Sequence, residues 1–142
     1  MSNLSPIPAY IFGGAFTGLG LLSFVAPKAD YEIFGLPLES SPPGSSSADK
    51  KTTAVPADGI VSPMVYAKGL RNLCFGLTYF ALQYKGLDEA VTIFSEVLCV
   101  AALGDGLIVW LCAGEKLKSK AFSHWGGMVP FVSWLGWRLY GN

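Results

Sequence analysis

Four charged side chains lie inside apolar runs of the sequence, and they are the first candidates for chemistry. Lys68 and Arg71 lie in the second apolar run of the chain, and Glu96 and Asp105 lie in the third. Each run is long enough to cross a bilayer as a helix. A charged group in hydrocarbon costs about 2.5–3.5 kcal/mol on insertion scales, so such groups usually have partners and often mark a functional site.

Depth along the predicted helices separates the two acidic side chains. The two runs are joined by a short turn, and a helix rises about 1.5 Å per residue. Counted from this turn, Arg71 lies at about 21 Å and Glu96 at about 12 Å, whereas Lys68 and Asp105 both lie at about 25 Å. Asp105 is therefore level with the two cations. Glu96 is not, and it faces another side of its helix, where Arg138 is one candidate partner and protonation is the alternative.

The single histidine, His124, begins the fourth apolar run at the end where these charges lie. We therefore predict a pocket lined by Arg71, Asn72, Asp105 and His124, with aromatic walls. The side chains expected to contact a bound molecule are Lys68, Asn72, Phe75, Tyr79, Glu96, Trp110 and Trp125.

Three readings of this cluster stay open from the sequence. In a catalytic reading, Asp105 or His124 transfers a proton, and Arg71 stabilises developing negative charge or holds the acid ionised. In a second reading the pocket binds a ligand without changing it. In a structural reading the charges only join helices, because buried ion pairs often contribute little net stability.

The composition indicates a membrane protein with an all-α fold. Of 142 residues, 51% are hydrophobic and only 14% are charged, which is unusual for a soluble domain of this size. We predict a single membrane domain over 1–142, a four-helix transmembrane bundle with a flexible cytoplasmic loop over about 40–59. The predicted helices cover about 7–25, 62–84, 89–113 and 122–140.

The distribution of basic residues sets the predicted orientation. Loops 26–61 and 115–121 carry six lysines, whereas the opposite side carries only Lys85 and Arg138. The positive-inside rule then places both loops in the cytoplasm and both termini in the lumen. We expect the membrane to be the endoplasmic reticulum or another endomembrane.

Several function classes lack their sequence signals. Ten acidic and ten basic residues give no net charge, so no nucleic-acid partner is expected. Neither a phosphate-binding glycine loop nor a pattern of metal-ligand spacing is present, so we expect no metal and no cofactor. Gly14 and Gly18 form a GxxxG spacing suited to close helix contact. The expected partners are membrane lipid, a lipophilic small molecule and, through helix contacts, further copies of the chain.

Four motifs resemble the DUF4267 family of small fungal integral membrane proteins. They are FGLPL at 34–38, KGLRNLCFGLTYF at 68–80, ALGDG at 102–106 and HWGGMVP at 124–130. The likeness covers most of the chain, with 40–54 as an insertion. It implies that Arg71, Asp105 and His124 are the recurring polar residues. It also implies a context of fungal secondary metabolism, in which our hypothesis is a small cyclase, isomerase or hydrolase that acts on a lipophilic natural product. The alternative is a non-catalytic membrane scaffold or accessory subunit.

Overall fold

The protein is all-α in the computed structural model, which describes residues 5–39 and 59–141. The predicted all-α class is thereby confirmed for the described part of the chain. The predicted flexible loop lies outside the described residues, apart from Gly59. The helices are α1 (Ile7–Val25), α2 (Pro27–Phe34), α3 (Met64–Tyr84), α4 (Asp88–Cys112) and α5 (Ala121–Tyr140), with a short 3-10 helix (Lys118–Lys120) before α5.

The helix α2 was not predicted, although the residues that define it are visible in the sequence. The chain leaves the helical conformation at Ala26, and Pro27 then occupies the first position of α2, where its missing N–H is not needed. Gly35 ends the helix with a φ of 95°, a conformation that side chains other than glycine rarely adopt. The four long helices lie within two residues of their predicted bounds.

Two of the helices, α1 and α4, are long and apolar enough to cross a membrane. Large apolar side chains cover their outer surfaces, as at Ile11 and Leu21 on α1 and at Val100 and Leu111 on α4. An apolar surface of this kind is stable against lipid and unfavourable against water. The finding indicates membrane association for these two of the four predicted spans.

Close packing of α1 against α3 depends on glycines in both helices. A Cβ atom placed on Gly76 would meet Thr17 and would lie 2.6 Å from the carbonyl oxygen of Gly13. A Cβ atom placed on Gly20 would lie 2.8 Å from the backbone nitrogen of Leu73. These distances are shorter than van der Waals contact, so the two backbones approach more closely than any side chain would allow.

The close helix contact within the described chain does not involve Gly14 and Gly18, so their role in contacts between copies of the chain stays a prediction. A Cβ atom at either position would have no atom of another element within 4 Å, and both glycines are exposed. The contact is made instead by Gly13 and Gly20, on a different face of α1. One residue turns a helix by about 100°, so Gly13 and Gly14 face different neighbours.

The aromatic core lies where α1, α3 and α4 meet, and Tyr79 is at its centre. The Tyr79 side chain is fully buried, and its ring packs against Phe16 and Phe94. Its hydroxyl group lies 2.7 Å from the Ser95 hydroxyl group, which in turn donates to a carbonyl group of α4. Tyr79 therefore joins α3 to α4 and is unavailable as the ligand contact that the sequence analysis predicted.

The glycine contact makes a prediction about stability. We expect Gly76→Ala to lower the free energy of unfolding by about 1–3 kcal/mol, because the added methyl group must displace the backbone of α1. Gly18→Ala adds the same methyl group on an open face and is expected to leave stability unchanged. Thermal unfolding of both variants in detergent measures the difference. Equal midpoints for Gly76→Ala and the unmodified protein would contradict the close contact.

Candidate functional site

A bidentate ion pair joins α3 to α4 at the centre of the candidate site. Arg71 Nη1 donates to Asp105 Oδ1 at 3.1 Å, and Nη2 donates to Oδ2 at 2.7 Å. The Arg71 side chain is 36% exposed and the Asp105 side chain is 17% exposed, so neither is fully buried. A fork of two parallel hydrogen bonds fixes the orientation of both planar groups. The structure thus brings together the two residues that the depth argument placed at similar heights.

A second ion pair corrects the predicted grouping of Lys68 with Asp105. Lys68 Nζ lies 2.7 Å and 2.8 Å from the two carboxylate oxygens of Asp30, on α2. The Ser23 hydroxyl group of α1 donates to the same carboxylate at 2.7 Å. Asp30 is 1% exposed, and Lys68 and Ser23 supply the hydrogen bonds that such a buried carboxylate needs.

Two cavities meet at these ion pairs. We call the first, of about 330 Å³, the α2 cavity, because α2 and the start of α3 supply most of its wall. The second, of about 290 Å³, is lined by residues of all five helices, and we call it the central cavity. The residues that line both are Asp30, Phe34, Lys68, Arg71 and Asp105. The two ion pairs and the Phe34 ring therefore form the partition between the cavities.

The central cavity brings together six of the predicted site residues, and four others do not line it. The six are Lys68, Arg71, Asn72, Phe75, Asp105 and His124. The four that lie elsewhere are Tyr79, Glu96, Trp110 and Trp125. The polar residues of the predicted pocket thus share one wall. The aromatic wall is supplied by Phe16, Phe34 and Phe75 rather than by the predicted tryptophans.

The His124 ring is held by α2 and not by Asp105. His124 Nε2 lies 2.9 Å from the carbonyl oxygen of Phe34, and the two rings meet edge to face at 4.8 Å. Because a carbonyl oxygen can only accept, the proton of the neutral imidazole is on Nε2, and Nδ1 carries the lone pair. Within the described part of the chain, Nδ1 has no hydrogen-bond partner. The residue lines the central cavity.

The Asn72 side chain lacks partners although it is 5% exposed. Its amide forms no hydrogen bond with any residue in 5–39 or 59–141, and it lines the central cavity. The Arg71 Nε atom is likewise buried without an acceptor among these residues. A buried polar group without a partner costs about 1–3 kcal/mol. The Asn72 amide, which lines the cavity, is available to a bound molecule.

The helix α2 supplies site residues that the sequence analysis missed. Asp30 and Phe34 line both cavities, and Tyr31 lines the α2 cavity. Burial, and to a smaller extent the negative charge of Glu39, raises the pKa of Tyr31, so its hydroxyl group stays protonated. The signal that could have found these residues is the proline at the start of the helix and the glycine after its end.

Trp125 lies against α4 outside the cavity because Gly106 leaves room for its indole ring. A Cβ atom on Gly106 would collide with this ring. Trp125 packs with Trp110 at 6.0 Å between ring centres and with Phe122 at 5.6 Å. These residues form an aromatic cluster near the end of α4, which stabilises its contact with α5.

Arg138, one of the two possibilities that the sequence left open for Glu96, is bound to other groups of α4. Arg138 Nε donates to the Thr92 hydroxyl group at 2.9 Å, and Nη2 donates to the backbone carbonyl of Asp88 at 2.7 Å. Glu96 lies on an exposed part of α4. Arg138 instead contacts Asp88 and Thr92, which lie about two turns and about one turn before Glu96 on α4.

The chemistry available at the site is acid–base and electrostatic. The central cavity presents one imidazole base, one guanidinium group, one ammonium group, one amide, one hydroxyl group and two paired carboxylates, with apolar side chains between them. In the described residues, no group of three or more His, Cys, Asp and Glu side chains is placed to hold a metal ion. The arrangement can position a polar group of an otherwise apolar molecule and move a proton.

The family comparison agrees with the motifs in the sequence. The family model described as a domain of unknown function, DUF4267, matches residues 13–138. The chain belongs to the DUF4267 family. The match includes every residue named above as lining the central cavity, so the site lies within the family domain. None of the curated proteins and none of the solved structures matches the chain.

The Lys68–Asp30 pair makes a prediction about stability. We expect Asp30→Leu to lower the free energy of unfolding by about 3–5 kcal/mol, because it leaves the Lys68 ammonium group without its counter-ion. The double variant Asp30→Leu/Lys68→Met should recover most of this loss. Chemical unfolding in detergent measures the free energies. An equally unstable double variant would show that the pair is not the cause.

A matched control for this experiment is Glu115→Gln. Glu115 forms an ion pair with Lys118 at 3.5 Å, but its side chain is 92% exposed. Exposed pairs contribute about 0–1 kcal/mol, so this substitution is expected to leave unfolding nearly unchanged.

Proposed function

We propose that the protein is a multi-pass membrane protein, a single domain in which α1, α3, α4 and α5 cross the bilayer as a four-helix bundle. The apolar surfaces of α1 and α4 support this. Exposed apolar side chains continue on α3, at Leu70 and Leu77, and on α5, at Val129 and Val132. The cations that make α3 less apolar are paired with other helices, which reduces the cost of placing them in lipid.

Both lysine-rich loops lie at one end of the bundle and face the cytoplasm. The observation that supports this is a contact between them, in which Lys120 Nζ donates to the carbonyl oxygen of Glu32 at 3.1 Å. The positive-inside rule then assigns this end to the cytoplasm and the termini to the lumen of the endoplasmic reticulum or another endomembrane.

The central cavity binds a lipophilic small molecule and changes it by proton transfer. The observation that carries this proposal is the His124 Nδ1 atom, which has a lone pair and no partner among the described residues, in a cavity that also holds a guanidinium group. The sequence left Asp105 and His124 as alternatives for the proton transfer. The geometry favours His124, because both carboxylate oxygens of Asp105 already accept from Arg71.

The roles follow from the hydrogen bonds. His124 Nδ1 takes a proton from a carbon of the substrate, and the Phe34 carbonyl holds the ring in the required tautomer. The negative charge moves to a substrate oxygen, where the guanidinium group of Arg71, a residue that lines the cavity, stabilises it. Asp105 orients the guanidinium group. Return of the proton to another carbon completes an isomerisation. In a cyclisation, the carbanion attacks a carbonyl carbon of the same molecule, the C=O π bond opens, and the resulting alkoxide takes the proton back from His124.

The test of this proposal is metabolite profiling of the native host carrying His124→Gln. Glutamine retains an N–H that can donate to the Phe34 carbonyl but has no basic nitrogen. We expect turnover to fall by about 10²–10⁴-fold, with a lipophilic precursor accumulating at unchanged protein level in the membrane fraction. Asp105→Asn is expected to lower turnover as well, because Arg71 loses its orientation. Normal conversion by His124→Gln would overturn the assignment.

A second candidate is a non-catalytic scaffold or accessory subunit. The observation that favours it is that three ion pairs each join two different helices: Lys68–Asp30, Arg71–Asp105 and Arg138–Asp88. Joint apolar replacement of Arg71 and Asp105 separates the two candidates. If the protein is a scaffold, the double variant should accumulate normally and leave the host's metabolites unchanged. If it is the proposed enzyme, the double variant should accumulate normally but no longer convert the substrate.

A further inference from the structure

The charges around the central cavity compensate one another. Lys68 contacts both oxygens of Asp30, and Arg71 contacts both oxygens of Asp105. A ligand that enters already charged would have to break one of these pairs or lose its water without gaining a counter-ion, and either route carries a desolvation cost. We therefore expect carboxylates, phosphates and amines to be disfavoured as head groups.

The groups that remain for a ligand are neutral or already partly satisfied, and Asn72 is the most deeply buried of them. Its amide has a donor and an acceptor and uses neither within the described residues. An amide of this kind forms hydrogen bonds with a hydroxyl or a carbonyl group. It has no feature that selects a charged group.

A third cavity continues the space away from the ion pairs. This side cavity, of about 130 Å³, is lined mainly by apolar side chains of α1, α4 and α5. It shares five wall residues with the central cavity: Phe16, Leu98, Ala102, His124 and Gly127. Beyond them its wall consists of Phe12, Met128 and Phe131. The shape suits a polar head in the central cavity and an apolar tail in the side cavity.

Gly127 lies where the central cavity and the side cavity meet. A Cβ atom at this position would have no atom of another element within 4 Å, so the missing side chain is not required by close packing. The residue lines both cavities. Its neighbour Gly126 is equally open but lines neither, which makes it a matched control on the same helix.

We propose that the ligand of this site is an uncharged lipophile with a hydroxyl or carbonyl head, which Asn72 binds, and an apolar tail that crosses Gly127 into the side cavity. This inference rests on the proposed function and adds the chemical class of the substrate. It also places His124 relative to the ligand. Because His124 lines both cavities, it lies beside the part of the ligand where head and tail join.

The test is photoaffinity labelling of the full chain in lipid nanodiscs. Three probes with the same diazirine-bearing chain carry different heads: decanol, decanoate and decylamine. Labelled residues are mapped by mass spectrometry, and unlabelled decanol is added as competitor. We expect the decanol probe to label residues around the central and side cavities, and excess decanol to abolish that labelling. The decanoate and decylamine probes should label these residues at least about tenfold less.

The variants separate binding from folding. Asn72→Leu is expected to reduce cavity labelling about tenfold, since the head loses its hydrogen bonds. The same variant should unfold at an equal or higher temperature than the unmodified protein, because a buried amide without partners is removed. Gly127→Leu should abolish labelling of the side cavity, whereas Gly126→Leu should retain it. Asn72→Leu keeps the test decisive if Gly127→Leu fails to accumulate.

The outcomes distinguish this inference from the function on which it rests. Stronger cavity labelling by the decanoate or decylamine probe would overturn the assignment of an uncharged ligand and leave the proposed binding function in place. Equal labelling of Gly127→Leu and Gly126→Leu would overturn the path of the tail. Absence of competed labelling at the cavity by all three probes would overturn the proposed function itself.

Discussion

The structure depends on one constraint: a charged group that is shielded from water needs a counter-ion. Lys68 and Arg71 are one turn apart on α3, and each takes its carboxylate from a different helix. Breaking either pair leaves a charge that the apolar surroundings cannot solvate. The two pairs therefore fix the height and rotation of α3 relative to α2 and α4. They also determine where the wall between the α2 cavity and the central cavity lies.

The other side of α3 meets a different requirement, which is close approach to α1. Glycines at Gly69 and Gly76 bring α3 against the backbone and the small side chains of α1. The helix thus has one face for backbone contact and another for paired charges. Because both faces are occupied at once, α3 has little freedom to rotate, and the polar side chains between them are directed to the central cavity.

The polar groups of the central cavity differ in whether they have hydrogen-bond partners. In each of the two ion pairs the charged groups bond each other, whereas the Asn72 amide and His124 Nδ1 have no partners within the described residues. A protein optimised for stability alone would gain by replacing these groups with apolar ones. Retained polar groups in an apolar cavity are typical of binding sites, where a ligand completes the hydrogen bonds. This contrast favours ligand binding over a purely structural role.

The sequence by itself determined the all-α class, the four long helices and the common height of Arg71 and Asp105. These properties follow from local periodicity and from the constant rise of a helix, so they need no knowledge of neighbouring elements. Short motifs in the sequence also indicated the family, and the family model confirms this membership by matching residues 13–138. Six of the sixteen residues that line the central cavity, all of them on α3, α4 and α5, could therefore be predicted.

The tertiary structure decided which faces meet. Asp30 reaches Lys68 because α2 folds back after Pro27, and no periodicity in the sequence links residues so far apart along the chain. Gly13 rather than Gly14 contacts α3, and Trp125 packs against Gly106 instead of lining the pocket. Both contacts depend on how the helices are rotated about their axes. Rotation is set by packing between elements, whereas height is set within one element. For this reason the depths of site residues were predictable and their partners were not.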